Sequence, residues 1–256
     1  MASRVALQDE TKTQLLENTP CWLLFTYNPV ALFSLKTTYS TSSGGKTLLV
    51  PTPYAFKIAM VGAGFRAEGE KLARKVFGLI KGREVRFNPP EHLTVNHTFV
   101  KIKREPKNKT PEQPFTSSIA FREFCFFQGQ LIISLDVSGL QREEIEVIKY
   151  VAAHVNYFGK QGSFFQFTMV EEVENLPCGF SLALPDELGD LDSTNYQVLQ
   201  YLDDLGETQA KDLFERINTY SAKPIELHKH RILRQYLLPY CLKKENNRYT
   251  YYHKGI

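Results

Sequence analysis

The 256-residue chain lacks the features that announce metal, redox or membrane chemistry. Its four cysteines, Cys21, Cys125, Cys178 and Cys241, stand far apart, with no Cys-x-x-Cys pair. No histidines cluster at zinc-ligand spacing, so buried free thiols are expected rather than a metal site or a disulfide framework. No segment approaches the length of a membrane span, and the N-terminus carries acids and polar residues where a signal peptide needs an apolar core. The expectation is a cytoplasmic protein in a reducing compartment, with no membrane contact, cofactor or metal. A phosphate loop for nucleotide hydrolysis is missing too. Gly45-Lys46-Thr47 has the ending of that motif, but Ser40 stands where its first glycine must be, and Leu48-Leu49-Val50-Pro51 follows where a helix must open.

What is present begins with a hydrophobic content of 43%, ample for one core-bearing domain with an appendage or for two small domains. The net charge of +3 conceals a strong segregation. Residues 31–130 hold 16 Lys/Arg against 7 Asp/Glu, residues 131–220 hold 5 against 16, and residues 221–256 hold 8 against 2. Such blocks suit one face for a polyanion and another for basic protein partners or solvent.

The polar loop Ser40–Lys46 runs into a marked helix start, in which Thr52 can cap and Pro53 fits the first helical position. Ile58, Ala59, Met60, Val61, Ala63 and Phe65 leave that helix almost no polar face, so it is expected to be buried on two sides, with Lys57 and Arg66 as charges inside or beside it. A basic loop carrying Lys46 at the N-terminus of such a helix is a candidate anion site. The remaining order is a first strand at 21–27, a second helix from about Gly69 to Lys81, extended segments at 84–87 and 93–103, and a polar, proline-punctuated stretch over 104–118. Residues 119–127 and 131–137 are predicted to pair across a tight turn at Gln128-Gly129-Gln130. A helix opened by Gln141-Arg142-Glu143-Glu144 follows, then a strand at 164–168.

Strand, helix, strand, strand, helix, strand is the ferredoxin-like order, so the predicted class is α+β. It comprises a ferredoxin-like domain over residues 20–175, interrupted by a long basic hairpin at about 84–127, and a smaller helical and β extension over 176–256. Fold alone does not give function, and the decorations decide. The excursion carries Lys101, Lys103, Arg104, Lys107 and Lys109 beside Phe99 and Phe115, and positive charge mixed with aromatic surface suits single-stranded nucleic acid. His97 lies on the same strand. The loop Gly159-Lys160-Gln161-Gly162-Ser163 adds two glycines that permit close backbone approach, a cation and a hydroxyl. Together with His97 and with Lys46, Lys57 and Arg66 at the buried helix, these are the candidate RNA ligands, and they favour RNA binding. In the extension, 196–202 and 210–217 are expected as two short amphipathic helices about Gly206. They could belong to a winged-helix DNA reader, but the pair is acidic where a recognition helix is basic, which favours an interaction surface.

Pro51-Thr52-Pro53-Tyr54-Ala55-Phe56-Lys57 within Gly44–Arg66, the Phe121-Arg122-Glu123 strand, the Phe158-Gly159-Lys160-Gln161-Gly162-Ser163-Phe164 loop and the ending Lys229-His230-Arg231…Leu238-Pro239-Tyr240…Tyr249-Thr250-Tyr251-Tyr252 resemble the Cas-five family of CRISPR proteins. The resemblance implies a RAMP-type subunit of a type I Cascade surveillance complex that grips the 5′ handle of the CRISPR RNA. It would meet the large subunit and the first backbone subunit, and reach target DNA only through the complex. The excursion would be similar to the family's thumb, and sequence would be read by the guide's base pairing. In one Cascade subtype a Cas-five relative cleaves precursor RNA. His92, His97, Lys101 and Tyr54 could here supply the base, acid and cation of metal-free cleavage, but nothing in their spacing makes them converge, and the non-catalytic reading is preferred.

Overall fold

The computed structural model describes residues 21–255, apart from 42–43, 109, 112–113, 185–195, 207–208, 210 and 219. The molecule is a strand-rich α+β protein with two larger sheets, of four and five strands, and two smaller ones, of three and two. The first has four antiparallel strands in the order β5-β8-β1-β9, formed by β1 (Trp22–Pro29), β5 (Val85–Asn88), β8 (Leu131–Asp136) and β9 (Phe165–Val173). Between β1 and β5 run helices α1 (Pro53–Glu68) and α2 (Glu70–Ile80), and between β8 and β9 runs α3 (Arg142–Ala152). Alternation along β1 turns Phe25 and Tyr27 to one face. Phe25 meets Phe56 of α1 with ring centroids 5.8 Å apart, and the Tyr27 hydroxyl donates to the Ala152 carbonyl of α3 at 2.9 Å.

The helix starts follow from the local residues as expected. The Thr52 hydroxyl accepts from Ala55 N–H at 3.0 Å, and Pro53 occupies the first turn, where no N–H is needed. Gln141 and Glu144 form a reciprocal capping box on α3. The apolar character of α1 all round has a concrete cause. One side packs on the sheet, while Val61 and Phe65 on another meet Leu213, Phe214 and Ile217 in and around the short helix α4 (Leu213–Ile217).

The second sheet has the order β13-β14-β6-β7-β3, with β3 (Gly44–Gly45), β6 (His92–Arg104), β7 (Thr116–Gln128), β13 (Tyr240–Glu245) and β14 (Tyr249–Lys254). β6 and β7 form an antiparallel hairpin from His92↔Gln128 out to Arg104↔Thr116. This hairpin is inserted between neighbouring strands of the first sheet. The chain leaves β5 at Asn88, passes Pro89-Pro90 and enters β6; it returns through Gly129, at φ +130°, into β8, where Ile132 pairs with Asn88. Residues 119–127 and 131–137 therefore do not pair with each other, contrary to the sequence expectation. The turn at Gly129 switches the chain between sheets.

A second correction concerns the extension. Val198–Leu205 is a strand, β11, rather than a helix, and pairs along its whole length with β12 (Arg231–Leu238), whose other edge carries β10 (Leu182–Leu184). Of the predicted helical pair, only Leu213–Ile217 is helical among the described residues. The winged-helix reading loses its first helix. Ala183, Leu202, Tyr236, Leu238 and Tyr240 join the same hydrophobic core as Phe25, Met60 and Ile133. Two short strands, β2 (Leu35–Lys36) and β4 (Thr47–Leu48), pair antiparallel beside α1. Cys125 and Cys241 are buried, Cys21 is half-buried and Cys178 is exposed. No helix among the described residues is long and apolar enough to cross a membrane.

Candidate nucleic-acid interface

Alternation on the hairpin sorts its side chains into two faces. Leu93, Val95, His97, Phe99, Lys101 and Lys103 share one face with their cross-strand partners Phe127, Cys125, Glu123, Phe121, Ile119 and Ser117. Near the stem this face is core, since Leu93, Val95 and Cys125 are buried. Farther out it becomes an exposed strip, with Phe99 73% and Ile119 72% accessible beside the exposed ammonium groups of Lys101 and Lys103. Rings continue down the strip: Phe99 lies 5.7 Å from Phe121, and Phe121 lies 5.9 Å from His97. Arg104 sits on the opposite face, and Lys107 and Phe115 near the tip are exposed. Among the described residues Lys101, Lys103 and Lys107 take part in no ion pair. Lys109 lies outside the described residues. Cations not held by protein carboxylates, next to open ring faces, can meet phosphates and bases together.

A second positive feature opens at the start of α1. It is a cleft of about 400 Å³ lined by Lys36, Thr52, Tyr54, Tyr157, Gly159, Lys160, Asp203 and Arg231, among others. Arg231 pairs with Asp203, and its guanidinium carbon sits 5.1 Å from the centre of the Tyr54 ring. Burial pushes the Tyr54 phenol up to about 12, with Arg231 pulling it down and Asp203 raising it, so the hydroxyl stays protonated at neutral pH. The first turn of α1 carries no acid, and its N–H end adds to the positive field of Lys36 and Lys160.

The glycine loop divides between cleft and solvent. Gly159 has φ +66°, and a Cβ there would stand 3.0 Å from Leu35 Cδ2; Gly162 has φ +99° and faces open space. Both need the left-handed region that glycine allows. Lys160 is exposed, whereas Ser163 is buried at 3% and its N–H donates to the Lys160 carbonyl at 3.1 Å. Ser163 thus closes the loop from inside and presents no hydroxyl to a ligand, which corrects the sequence assignment.

Lys57 needs a larger correction. It is 1% exposed, and its ammonium donates to Asp204 Oδ1 at 2.7 Å and to the Lys81 carbonyl at 3.2 Å. Burial lowers its pKa, and Asp204 partly restores it. It is a structural cation that no RNA phosphate can reach in this arrangement. Arg66, in the last turn of α1, is exposed and donates to the His154 carbonyl at 3.3 Å and to Asn156 Oδ1 at 3.4 Å, with its guanidinium 5.7 Å from the Tyr157 ring. Lys46 is exposed between β3 and β4, where Gly44 and Gly45 lie parallel to Phe121 and Arg122 of β7, so the basic loop docks on the hairpin. Glu123 secures that docking by accepting from Thr47 N–H at 2.8 Å.

The four residues considered for RNA cleavage do not assemble. His92 and His97 differ in parity on β6 and face opposite sides of the sheet. His97 and Lys101 share a face but stand four residues, about 13 Å, apart along the strand. His97 Nε2 meets the Thr250 hydroxyl at 3.2 Å, and Tyr54 belongs to the cleft. Sequence reading missed Lys36, Tyr157, Asp203 and Arg231 as cleft residues. Arg231 lies in the basic run 229–234, but Lys36 and Asp203 carry no local signal.

A strand-rich α+β protein with a cationic, aromatic hairpin and a basic cleft is the class these features define. No family model matches the chain. It is 24% identical over 205 residues to the CRISPR-associated protein Cas5 of Archaeoglobus fulgidus, across 79% of this chain and 86% of that protein. Among solved structures, a CRISPR protein from Archaeoglobus fulgidus matches with a TM-score of 0.44 and 12% identity over 92% of both chains. A chain of a CRISPR RNA-guided surveillance complex matches with a TM-score of 0.43 and 13% identity over 85% of this chain and 89% of that one. The resemblance to the Cas-five family carried by the motifs therefore holds, on the sequence comparison and over most of the chain.

Proposed function

We propose that this protein is a non-catalytic, RNA-binding subunit of a CRISPR effector complex of the Cascade kind. It caps the 5′ handle of the CRISPR RNA and touches the large and first backbone subunits. Kinship to Cas5 supports the complex. The sheet order β5-β8-β1-β9 with its crossover helices supports a ferredoxin-like frame of the RAMP type, and the inserted hairpin supports the role of thumb. One observation carries the RNA reading: Lys101 and Lys103 stand exposed, with no ion pair among the described residues, on the same face as the exposed Phe99 ring. The dispersal of His92, His97, Lys101 and Tyr54 favours holding RNA over cutting it.

Charge reversal at Lys101, Lys103 and Lys107 tests this reading in the reconstituted complex. Each lost phosphate contact lowers the salt slope of single-strand binding by about 0.7, so the triple variant should lose about 2 units of slope and bind handle RNA correspondingly more weakly. An unchanged slope together with unchanged assembly would remove the thumb assignment.

A further inference from the structure

Away from the cleft and the exposed strip, at the stem of the hairpin, the fold gathers three metal-competent side chains that are far apart in sequence. His92 opens β6, and His253, near the end of β14, is its direct cross-strand partner, so both imidazoles project from the same face of the sheet. Glu91 precedes His92, and its carbonyl accepts from Lys254 N–H at 2.8 Å, which ties its backbone to the same ladder. We propose that Glu91, His92 and His253 form a binding site for a divalent transition ion of the zinc type, clamping the last strand of the chain to the stem of the hairpin.

The distances fit that chemistry. One ligand atom from each residue lies within 4.8 Å of the other two. His253 Nε2 stands 3.1 Å from Glu91 Oε1, and His92 Nε2 stands 3.9 Å from the same oxygen. Bonds of about 2.0–2.1 Å in a tetrahedron imply ligand separations of about 3.3 Å, between these two values, so small side-chain rotations close the set. The rings meet edge to face at 62° with centroids 4.9 Å apart, which lets both present a nitrogen to one point. His92 also has the outer-shell partner that metal-bound imidazoles need: its Nδ1 meets the Tyr251 hydroxyl at 2.8 Å, leaving Nε2 for the ion. Lys254, next to His253, alternates to the other face of the strand, where its ammonium donates to Asn88 and the Pro89 carbonyl.

Two imidazoles and one carboxylate select zinc, nickel, cobalt or copper over magnesium and calcium, whose preferred ligands are all oxygen. Three protein ligands leave a fourth position for water. The sequence hid this grouping because Glu91 and His253 are 162 positions apart. The site stands independently of the RNA reading, since none of its residues lies in the cleft or on the outer strip.

Zn²⁺ titrated calorimetrically into the untagged full chain tests the proposal, with Co²⁺ absorption as an independent report of nitrogen coordination. One equivalent of Zn²⁺ should bind and raise the melting temperature with the logarithm of its free concentration above the Kd, while Mg²⁺ should do neither. His92→Ala and His253→Ala should each weaken binding at least tenfold and abolish the Co²⁺ bands. Tyr251→Phe should weaken it about tenfold through the outer shell alone. Melting each variant in chelator shows that it is folded. Absence of stoichiometric uptake by the parent, or uptake that survives both histidine substitutions in folded protein, would overturn the proposal.

Discussion

Replacing Lys57 by methionine separates a structural cation from an RNA ligand. The side chain is buried at 1%, and its pair with Asp204 bridges α1 and β11 across 147 residues of sequence. Breaking a buried pair typically costs about 3–5 kcal/mol, because the abandoned charge stays desolvated. Asp204 keeps two other partners, Leu205 N–H at 2.8 Å and Arg234 Nε at 3.6 Å, which places the expected cost near the lower end, about 3 kcal/mol. For a chain of this size that corresponds to a fall in melting temperature of roughly 6–12 °C. Urea unfolding of parent and variant measures the cost directly. Handle-RNA affinity, corrected for the folded fraction, and its salt slope should not change. Substituting leucine at Asp204 in the same chain should recover most of the loss, since two apolar groups then replace two desolvated charges. Loss of less than about 1 kcal/mol, or a shallower salt slope in the folded variant, would refute the reasoning. The pH dependence gives a further check. Burial holds the pKa of Lys57 below its ordinary 10.5 in the folded chain, so between the folded value and 10.5 the unfolded chain binds more protons and stability rises with pH. In Asp204→Asn nothing restores the pKa, and that rise should begin at lower pH.

Other outcomes follow from the same geometry. Gly159→Ala forces a side chain into φ +66° with Leu35 Cδ2 at 3.0 Å and should cost about 1–2 kcal/mol, read from urea unfolding. Gly162→Ala meets φ +99° but no neighbour, so it should cost less, and a drop in its handle-RNA affinity would mark this loop as a backbone contact. A repeat-containing transcript incubated with the purified protein should remain uncut with and without metal. Site-specific products that disappear in His97→Ala would reinstate the nuclease reading.

How much of this was legible in the sequence depends on the range of the interaction. The start of α1 was readable because Thr52 and Pro53 act within one turn, and the start of α3 because Gln141 and Glu144 cap each other three residues apart. The face of β6 that bears Val95, Phe99 and Lys101 was readable because alternation is local. β11 was misread as helix because its strand conformation comes from pairing with Arg231–Leu238, which no window around residue 200 contains. The cleft shows the same limit. Tyr54 and Lys160 sit in recognisable motifs, but Asp203, which holds Arg231, and Lys36 reach the site only through tertiary packing. Lys57 looked like a ligand beside a basic loop, and only the strand carrying Asp204 reveals it as half of an internal pair.

The hairpin behaves mechanically as a cantilever, because its two edges are supported only part of the way out. On one side β14 accompanies β6 as far as Asn96, with one further bond from His97 N–H to the Arg248 carbonyl; on the other, β3 braces β7 at Phe121 and Arg122. Beyond the Phe99↔Phe121 pair no third strand among the described residues borders the hairpin, and Val100–Arg104 against Thr116–Ala120 form a ribbon of about 17 Å that is still buried at Ala120, its base. A two-stranded ribbon alone in water is marginal, so this outer section gains its rigidity from whatever it lies against. Lys101 and Lys103 are on it. Reach and core stability are thereby uncoupled: two residues added to each strand beyond the Val100↔Ala120 pair would lengthen the arm by about 7 Å without disturbing the buried Ala120 or the core below it.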